Sequence, residues 1–418
     1  MITSCHWAVS SVGRALRLHR RCQGFKSSTA HQNLKMKKDY QKLSINIHRK
    51  AHGKISVIGK LPVNNREDLS IVYTPGVAGP ALAIAKNKAL VYDLTATKNG
   101  VAIVSDGSAV LGLGNIGPEG ALPIMEGKAV LFKRFANIDG FPIVLSTQNT
   151  DEIVAAIKAI APTFGGINLE DISAPRCFEI EKRLKKELSI PVMHDDQHGT
   201  AIVVLAGLIN ALKVVRKRKE SVRVVINGAG AAGVAITKLL YRYGIQNMII
   251  CDSQGIVSKK RRDLTPVKKE ITQITNKSNI SGSLSDALKN ADVFIGVSKG
   301  NLLKPSDIQT MAKSAIIFAM ANPTPEIMPT EAKRGGAAVI ASGRSDFPNQ
   351  INNVLAYPGI FKGAIESRTS KITEKMKIAA AEALAAVVKK PTAGKIIPDI
   401  FDKKVVLAVS NAIKKLAS

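Results

Sequence analysis

The chain has 418 residues, of which 45% are hydrophobic and 22% charged, enough to bury two large cores. Its formal net charge of +28 makes a basic nucleic-acid-binding protein the first class to weigh, but the cations are scattered along helical segments and aromatic residues make up only 4%. The four cysteines show no paired spacing, and there is no run of about 20 apolar residues, which argues against a disulfide framework, a thiolate zinc site and a membrane segment. We therefore expect a soluble, cytoplasmic protein of two domains, with no nucleic-acid or membrane partner.

Residues 1–38 have the composition of a segment that takes no part in the fold. No acidic residue precedes Asp39, and basic residues crowd a Ser-rich stretch. This composition is typical of an organellar import signal, which would place the protein in an organelle matrix. Residues 10–26 also look like the peptide obtained when a bacterial transfer-RNA gene is translated, which favours a misassigned start with Met36 as the true initiator. Under both interpretations residues 1–38 are a non-structural leader.

Residues 39–199 are predicted to form a first α/β domain. Asp106-Gly107 lies between two apolar runs and predicts a hairpin of strands 101–105 and 108–111. From residue 141 onwards strands and helices alternate, which indicates parallel strands joined by right-handed crossovers. The strands are predicted at 142–146, 164–169 and 190–193, and the helices at 151–161, 175–188 and 199–215.

Residues 200–418 are predicted to form a nucleotide-binding domain with C-terminal helices. After a basic linker at 216–220, apolar strands alternate with helices, which indicates a doubly wound, Rossmann-like sheet. Two amphipathic helices follow, at 373–388 and 403–416. The strands are predicted at 222–226, 248–251, 293–295, 315–318 and 337–340. The predicted fold class is therefore α/β throughout, with two successive domains.

A glycine-rich turn follows the first strand of the second domain. The segment Asn227-Gly228-Ala229-Gly230-Ala231-Ala232-Gly233 joins that strand to a predicted helix, which is the context that a dinucleotide-binding turn requires. Gly228 would permit a tight turn, Gly230 the close approach of a pyrophosphate, and Gly233 the close packing of the helix. The sequence therefore predicts a cofactor site for NAD or NADP.

The acidic residue after the second strand bears on which cofactor is used. Asp252 lies 24 residues after Gly228, where an acid usually accepts hydrogen bonds from the adenosine ribose. This favours NAD. The basic run 259–262 would hold a 2′-phosphate if its loop folds back, so NADP stays open.

Two acidic doublets follow two successive predicted strands of the first domain. Glu170-Asp171 comes after strand 164–169, and Asp195-Asp196 comes after strand 190–193. Because a single helix connects these strands, we expect both doublets at the same edge of a parallel sheet. Clustered carboxylates need a cation, and all-oxygen ligation favours Mg²⁺ or Mn²⁺ over zinc. The alternative is that the acids only cap helices at two separate turns.

Six segments match motifs of the malic enzyme family, in the family's order. They are YTPGVA (73–78), GSAVLGLGNIG (107–117), MEGKAVLFK (125–133), LEDI (169–172), HDDQHGTA (194–201) and ANPT (321–324). From about residue 45 to residue 365, the chain resembles the small prokaryotic type of this family. The resemblance implies oxidative decarboxylation of malate to pyruvate with NAD(P) and a divalent metal, in a homodimer or higher homo-oligomer.

The resemblance also implies roles for individual residues. The metal ligands would be Glu170, Asp171 and Asp196. Substrate contacts would come from Lys128, Asn322 and Asn353, and Asn322 would also face the cofactor. One departure from the large eukaryotic type is Ala109, which stands where that type carries a carboxylate-binding arginine.

The chemistry explains why a lysine and a tyrosine are needed. Removing a hydride from malate C2 also requires removal of the C2 hydroxyl proton, which a buried lysine with a lowered pKa accepts near neutral pH. The resemblance assigns this role to Lys128, with Asp195 tuning it through a charge pair. Tyr73 would then protonate C3 after CO₂ is lost.

Two other functions stay open at this point. A metal-independent two-domain dehydrogenase of another substrate would share the glycine turn but would not need two acidic doublets. A basic nucleic-acid-binding protein would instead show its cations as a stripe on one face.

Overall fold

The computed structural model describes residues 39–110 and 112–417, so the predicted leader 1–38 lies outside the described residues. The chain divides into two compact units, Met1–Lys50 and Ala51–Ser418. The structure describes only the end of the first unit. Most of this part lies in helix α1 (Tyr40–Ala51), which has no buried residue. Both predicted domains fall within the second unit, apart from residues 39–50 of the first domain.

The second unit begins with short helices that bury none of their residues. These are α2 (Arg66–Val72), α3 (Ala78–Lys86) and α4 (Val91–Leu94). Large apolar side chains between residues 55 and 94 are exposed to solvent, including Val57, Ile58, Leu61, Ile71 and Leu82. We call this set the apolar N-terminal surface. Short 3-10 helices at Lys88–Leu90 and Ala96–Asn99 lead into the first sheet.

The first sheet has four parallel strands. They are β1 (Gly100–Ser105), β2 (Asp139–Val144), β3 (Gly166–Leu169) and β4 (Val192–His194), in the order β2-β1-β3-β4. The connecting helices are α5 (Gly117–Ala136), α6 (Thr150–Ile160) and α7 (Arg176–Glu187). The alternation predicted from residue 141 onwards is confirmed, and β3 and β4 are neighbours. The carboxyl ends of these two strands therefore meet at one edge.

The predicted hairpin around Asp106-Gly107 is wrong. Strand β1 is fully buried and pairs in parallel with β2 on one side and β3 on the other, so neither of its edges is open for a hairpin partner. Asp106 instead accepts hydrogen bonds from the backbone N–H and hydroxyl of Ser108. Gly107 adopts a positive φ of 66°, and a Cβ there would lie 2.0 Å from the Gly117 carbonyl oxygen. The turn therefore starts a compact loop.

Helix α8 (Asp195–Val215) joins the two sheets and is buried along most of its length. Its length and apolar composition would be enough to cross a membrane, but 72% of its most hydrophobic stretch is buried inside the protein, as in the core helix of a globular fold. The boundary that we expected at 199/200 lies inside this continuous helix. The basic segment 216–220 forms the short turn that follows it, with Arg216 in the left-handed conformation.

The second sheet has six strands in the order β10-β9-β8-β5-β6-β7. The strands are β5 (Arg223–Asn227), β6 (Asn247–Asp252), β7 (Gly255–Ile256), β8 (Val293–Gly296), β9 (Ile316–Ala319) and β10 (Val339–Ser342). All neighbours are parallel except β6 and β7, which are antiparallel. The accompanying helices are α9 (Ala231–Tyr243), α10 (Pro266–Ile271), α11 (Leu284–Leu288), α12 (Pro305–Gln309) and α13 (Pro329–Arg334). The predicted doubly wound sheet is confirmed.

Three helices close the chain: α14 (Tyr357–Glu366), α15 (Glu374–Val387) and α16 (Lys404–Lys415). The last two are the predicted amphipathic helices, and α14 is additional. Helix α15 packs against α8, where the buried Asn210 side chain donates hydrogen bonds to the carbonyl oxygens of Ala385 and Ile396, both at 2.9 Å. Helix α14 packs against α5 of the first sheet, so the C-terminal region supports the first domain as well as the second.

Candidate active site

Both acidic doublets lie at the edge where β3 and β4 end. The backbone N–H of Asp171 donates a hydrogen bond to Asp196 Oδ2 at 2.8 Å, which joins the two turns directly. Glu170, Asp171 and Asp195 are buried, and Asp196 is half-buried. The structure thus brings together the carboxylates that the strand order predicted to meet.

Lys128 reaches this edge from α5 and is only 7% exposed. Its Nζ lies 2.5 Å from Glu170 Oε2 and 2.5 Å from Asp195 Oδ2, so a single ammonium group contacts one acid from each doublet. The same Nζ lies 4.3 Å from the centre of the Tyr357 ring, a favourable cation–π distance. The structure therefore contains the charge pair between Lys128 and Asp195.

The pKa of Lys128 does not follow the sequence-based expectation. Burial acts to lower this pKa, but the carboxylates of Asp195 and Glu170 outweigh burial and raise it above the ordinary lysine value. Burial also raises the pKa of Asp195, to about 7, and raises that of Glu170. Burial alone acts in the predicted direction, and the direct contacts with two carboxylates reverse it in this arrangement, so a lowered Lys128 pKa during catalysis stays a prediction.

Asp195 is held from several sides at the start of α8. Its Oδ2 accepts a 2.6 Å hydrogen bond from Asn353 Nδ2 as well as the contact from Lys128. Its Oδ1 is buried without a hydrogen-bond partner among the described residues. A Cβ at Gly199 would lie 1.8 Å from this Oδ1, so only glycine fits one turn further along the helix. Asn353, one of the predicted substrate contacts, thus joins the cluster.

Sequence reasoning missed two further groups at this edge. Tyr357 covers Lys128, and its hydroxyl is buried without a hydrogen-bond partner in the described chain. Arg176 forms a 3.0 Å salt bridge with the buried Asp106 Oδ2 at the end of β1. The position of Asp106 at the end of a predicted strand was a usable signal for its salt bridge with Arg176. Nothing in the spacing around Tyr357 indicated that its ring would contact Lys128.

Two predicted residues are not brought into the cluster. Tyr73 is 66% exposed on the apolar N-terminal surface, and its hydroxyl makes no hydrogen bond with the part of the chain that the structure describes. Asn322 lies after β9, next to Gly112 and Gly343, and a Cβ added at either glycine would come within 2.9 Å of an Asn322 atom.

Ala109 donates its backbone N–H to the Asp171 carbonyl oxygen at 2.8 Å, so it supports the acidic turn through the main chain.

The chemistry of the acidic edge suits a divalent metal. Oxygen donors from Glu170, Asp171 and Asp196 are the kind that Mg²⁺ and Mn²⁺ prefer. Their burial without full compensation is visible in the raised pKa of Glu170. Within residues 39–110 and 112–417, however, no three acidic, histidine or cysteine side chains are arranged as a ready-made metal site. Lys128 supplies the positive charge between the two turns in this structure.

The glycine turn forms one wall of a cleft of about 990 Å³ at the carboxyl ends of β5 and β6. Gly228 has φ of 120°, and a Cβ there would lie 2.6 Å from the Val297 carbonyl oxygen. At Gly233 an added Cβ would lie 1.7 Å from the Gly228 carbonyl oxygen, whereas at Gly230 it would meet nothing within 4 Å. The three glycines thus provide the turn, the helix contact and the open approach that the fingerprint predicts.

Asp252 lies at the other wall of this cleft. Arg261, from the predicted basic run, contacts both of its carboxylate oxygens, and Lys268 Nζ lies 2.6 Å from Oδ2. Burial acts to raise the pKa of Asp252, but the hydrogen bonds from Arg261 and Lys268 outweigh it and hold the pKa below the ordinary value. The loop that carries Arg261 therefore folds back onto the end of β6.

Comparison with known proteins identifies the family. Residues 52–185 match the profile described as the malic enzyme N-terminal domain, and residues 197–418 match the malic enzyme NAD-binding domain. The bifunctional malic/malolactic enzyme of Bacillus subtilis (strain 168) is 55% identical over 377 residues, covering 90% of this chain and 92% of the relative. The NAD-dependent malic enzyme of Geobacillus stearothermophilus is 56% identical over 367 residues, covering 87% and 77%.

Solved structures agree. The NAD-dependent malic enzyme of Thermotoga maritima superimposes with a TM-score of 0.87 at 52% identity, covering 89% of this chain and 98% of the other. The malic enzyme of Pyrococcus horikoshii gives a TM-score of 0.87 at 46% identity, covering 90% of each chain. Both the sequence and the arrangement of the two sheets are thus shared along nearly the whole described chain. The chain belongs to the malic enzyme family.

Proposed function

We propose that this protein catalyses the oxidative decarboxylation of malate to pyruvate and CO₂ with NAD(P) as hydride acceptor, using the edge of the first sheet as its active site. The observation that carries the proposal is the buried contact of Lys128 with one acid from each doublet. The NAD-binding domain supplies the cofactor cleft. A metal-independent dehydrogenase would have no use for these clustered carboxylates.

Lys128 is proposed as the general base for the C2 hydroxyl of malate. When the hydride leaves C2 for the nicotinamide ring, the hydroxyl proton must leave as well, and Lys128 places a buried basic nitrogen at this edge. Asp195 and Glu170 raise its pKa and so favour the ammonium form, which must release a proton before the amine can accept the one from the C2 hydroxyl. Asn353 and Tyr357 hold the lysine and its partner in place meanwhile.

Glu170, Asp171 and Asp196 are proposed to hold a divalent metal, Mg²⁺ or Mn²⁺. When bound, such an ion supplies Lewis-acid polarisation of the substrate oxygens and stabilises negative charge during loss of CO₂. Support comes from the oxygen donors at two adjoining turns.

Tyr73 is proposed as the acid that protonates C3, in a homo-oligomer. Its exposure within one subunit, together with the exposed Val57, Ile58 and Leu82, supports an assembly in which a second copy covers the apolar N-terminal surface. Such an assembly would also change the surroundings of Tyr73. The number of subunits is tested by light scattering on the purified protein.

The size measurement has a matched control within the chain. Replacing Leu82 by Glu places a charge on the apolar N-terminal surface and should reduce the assembly to monomers. Replacing Leu407 by Glu makes the same change at an exposed leucine of α16 and should leave the size unchanged. A wild-type monomer, or equal effects of both changes, would contradict the proposed interface.

We also propose a cytoplasmic location. The two relatives compared above come from bacteria, and the thiols of Cys177 and Cys251, which are buried and form no disulfide within the described residues, suit a reducing compartment. Cell fractionation with a tagged chain tests this. Recovery with an organelle matrix would support the import signal instead.

A single assay tests the reaction, the metal and the cofactor together. The protein is incubated with malate and with NAD or NADP, with and without Mn²⁺, while absorbance of the reduced nicotinamide and formation of pyruvate are followed. We expect reduced cofactor and pyruvate in equal amounts, and only with the metal. Reduced cofactor without Mn²⁺ would indicate a metal-independent dehydrogenase, whereas no turnover together with salt-sensitive retention on DNA would indicate a nucleic-acid-binding protein.

A further inference from the structure

We propose that Glu326 is a positioning residue that holds Asn322 beside the cofactor cleft, an inference that rests on the proposed oxidation of malate with NAD(P). Glu326 follows β9 and is completely buried. Its Oε1 accepts a hydrogen bond from the backbone N–H of Ser298 at 3.1 Å, and its Oε2 accepts one from the backbone N–H of Ala321 at 3.0 Å. A single carboxylate therefore joins the loop after β8 to the loop after β9.

The loop after β8 is part of the wall of the cofactor cleft. Ser298 lines this cleft together with the glycine turn. The hydroxyl of Ser298 also accepts a 2.7 Å hydrogen bond from the side-chain Nδ2 of Asn227, the residue at which the turn begins. Glu326 is thus anchored to the part of the protein that receives the dinucleotide.

The loop after β9 carries Asn322 directly after the anchored Ala321. This loop packs against the loop that follows β1, since a Cβ added at Gly112 would lie 2.9 Å from the Asn322 carbonyl oxygen. In the loop after β1, the backbone N–H of Ala109 donates a hydrogen bond to the carbonyl oxygen of Asp171, in the acidic turn. The loop of Asn322 therefore connects the cofactor cleft with the acidic edge, where the family resemblance expects this residue to face both cofactor and substrate.

The anchor is a carboxylate at a place where a charge is costly to bury. Within the described chain its side chain forms no ion pair, and burial raises the pKa of Glu326 although backbone N–H groups bond to it. A Cβ at Gly296 would lie 2.3 Å from Glu326 Cδ, so only glycine leaves room for the carboxyl group. Two N–H groups from different loops require two acceptor oxygens, which a carboxylate provides and an amide does not. A buried charge kept at such a cost indicates that the positions of the two loops matter for function.

The proximity of the two loops does not depend on this side chain alone. The carbonyl oxygen of Glu326 accepts hydrogen bonds from the backbone N–H groups of Leu302 and Leu303, at 2.8 and 3.0 Å. These bonds remain in Glu326→Gln, so this variant should fold with the loops still adjacent. The new amide oxygen can accept from one N–H group, while its NH₂ group faces the other. Ser298 keeps its side-chain bond to the glycine turn, so the loop of Ala321 should be the one that moves.

The first test is a double-mutant cycle on malate oxidation by the whole protein with NAD and Mn²⁺. Glu326→Gln should lower kcat/KM for malate about tenfold, because Asn322 is displaced. In the Asn322→Ala background the same change should cost less than about twofold, since the residue through which Glu326 acts has lost its side chain. A merely structural role would give the same loss in both backgrounds and would overturn the proposal. Glu331→Gln, the same change at a half-buried glutamate of α13, is the control and should leave kcat/KM unchanged.

Hydrogen exchange provides a second readout that does not need malate. In Glu326→Gln the backbone amide of Ala321 should exchange at least about tenfold faster than in the wild type, while the amides of the buried strand β9 should keep their rates. Unchanged exchange at Ala321 would overturn the proposal. A wild type that shows no malate oxidation, together with the expected exchange pattern, would count against the proposed reaction alone.

The wild type decides the question if Glu326→Gln does not fold. The amides of Ser298 and Ala321 donate to the same carboxylate, so both should be protected from exchange to a similar degree. An Ala321 amide that exchanges freely in the wild type would show that Glu326 does not hold this loop.

Discussion

The two sheets of this protein present their carboxyl edges in opposite ways. At the edge of the first sheet, side chains carry the chemistry: Lys128 contacts Glu170 and Asp195 in a buried cluster. At the edge of the second sheet the glycine turn offers backbone, and Gly230 leaves open space where a side chain would stand. The same parallel topology therefore supports one site made of charged side chains and another in which glycines leave the backbone accessible.

This difference predicts how each edge responds to substitution. A buried ion pair loses much when one partner is removed, because the other charge stays buried without compensation. A substitution in the glycine turn removes no charge, but the added side-chain atoms clash with the backbone where the chain passes close to itself. Changes at the first edge should thus affect the chemical step, and changes at the second should affect cofactor binding.

The largest expected effect is at Lys128. Lys128→Ala should lower kcat for malate oxidation by about 10³-fold or more, because the proposed base is removed. Lys133→Ala removes a lysine from the exposed face of the same helix and should leave kcat within about twofold. Cofactor binding by the Lys128 variant, measured by titration, should persist and shows that the second edge is intact. Unchanged malate turnover would overturn the assignment of the base.

A smaller effect is expected at Tyr73. Tyr73→Phe should reduce pyruvate formation from malate by about 10²-fold and spare the reduction of oxaloacetate, since only C3 protonation needs the acid. Both rates are followed through the nicotinamide absorbance and the pyruvate formed. Tyr92→Phe, at a ring stacked on Arg368, serves as the control and should change neither rate. Equal loss of both reactions would show that Tyr73 supports structure or substrate binding instead.

At the second edge, Gly233→Ala and Gly230→Ala should differ. The alanine methyl group at residue 233 would lie 1.7 Å from the Gly228 carbonyl oxygen, so the turn must shift, with a cost of about 1–3 kcal/mol in stability and a Kd for NAD raised about tenfold. At residue 230 the methyl group meets open space, so the melting temperature should stay unchanged while cofactor binding weakens. Calorimetry and titration check the pair. Equal melting temperatures for both variants would contradict the packing role of Gly233.

The smallest change in catalytic activity is expected at Asn353. This residue belongs to the C-terminal part of the chain but its Nδ2 reaches Asp195 Oδ2 at the first edge. Asn353→Ala removes a hydrogen bond to a charged group and should lower kcat/KM for malate by about tenfold. The Kd for NAD should not change. A selective loss of NAD binding would instead place Asn353 with the second edge.

Much of the fold was predictable from local patterns. Alternating apolar strands and helices indicated both parallel sheets, and the glycine turn was found in its strand-turn-helix context. The hairpin prediction failed because Asp106-Gly107 is a strong local turn signal, whereas β1 is a central strand with both edges already paired. Which strands become central is decided by long-range pairing, and a two-residue turn signal carries no information about it.

The site was predictable in its acids and less so in its electrostatics. Glu170-Asp171 and Asp195-Asp196 follow adjacent strands, so their meeting follows from the strand order. The direction of the Lys128 pKa did not follow, because it depends on two carboxylates that contact the ammonium group directly. Tyr73 matches a family motif, but its side chain has no contact with the acidic cluster within the described chain.

Sequence alone determined the elements whose causes are local: the apolar strands, the glycines at the turn and the acids at strand ends. Tertiary packing decided which distant side chains form ion pairs and hydrogen bonds with one another. Lys128 and Asp195 are 67 residues apart, and Asn353 and Asp195 are 158 residues apart, yet each pair is in direct contact. Such contacts depend on how α5 packs against the first sheet and how the short 3-10 helix Asn353–Leu355 packs against α8. That packing comes from the summed burial of many apolar side chains, and no short motif encodes it.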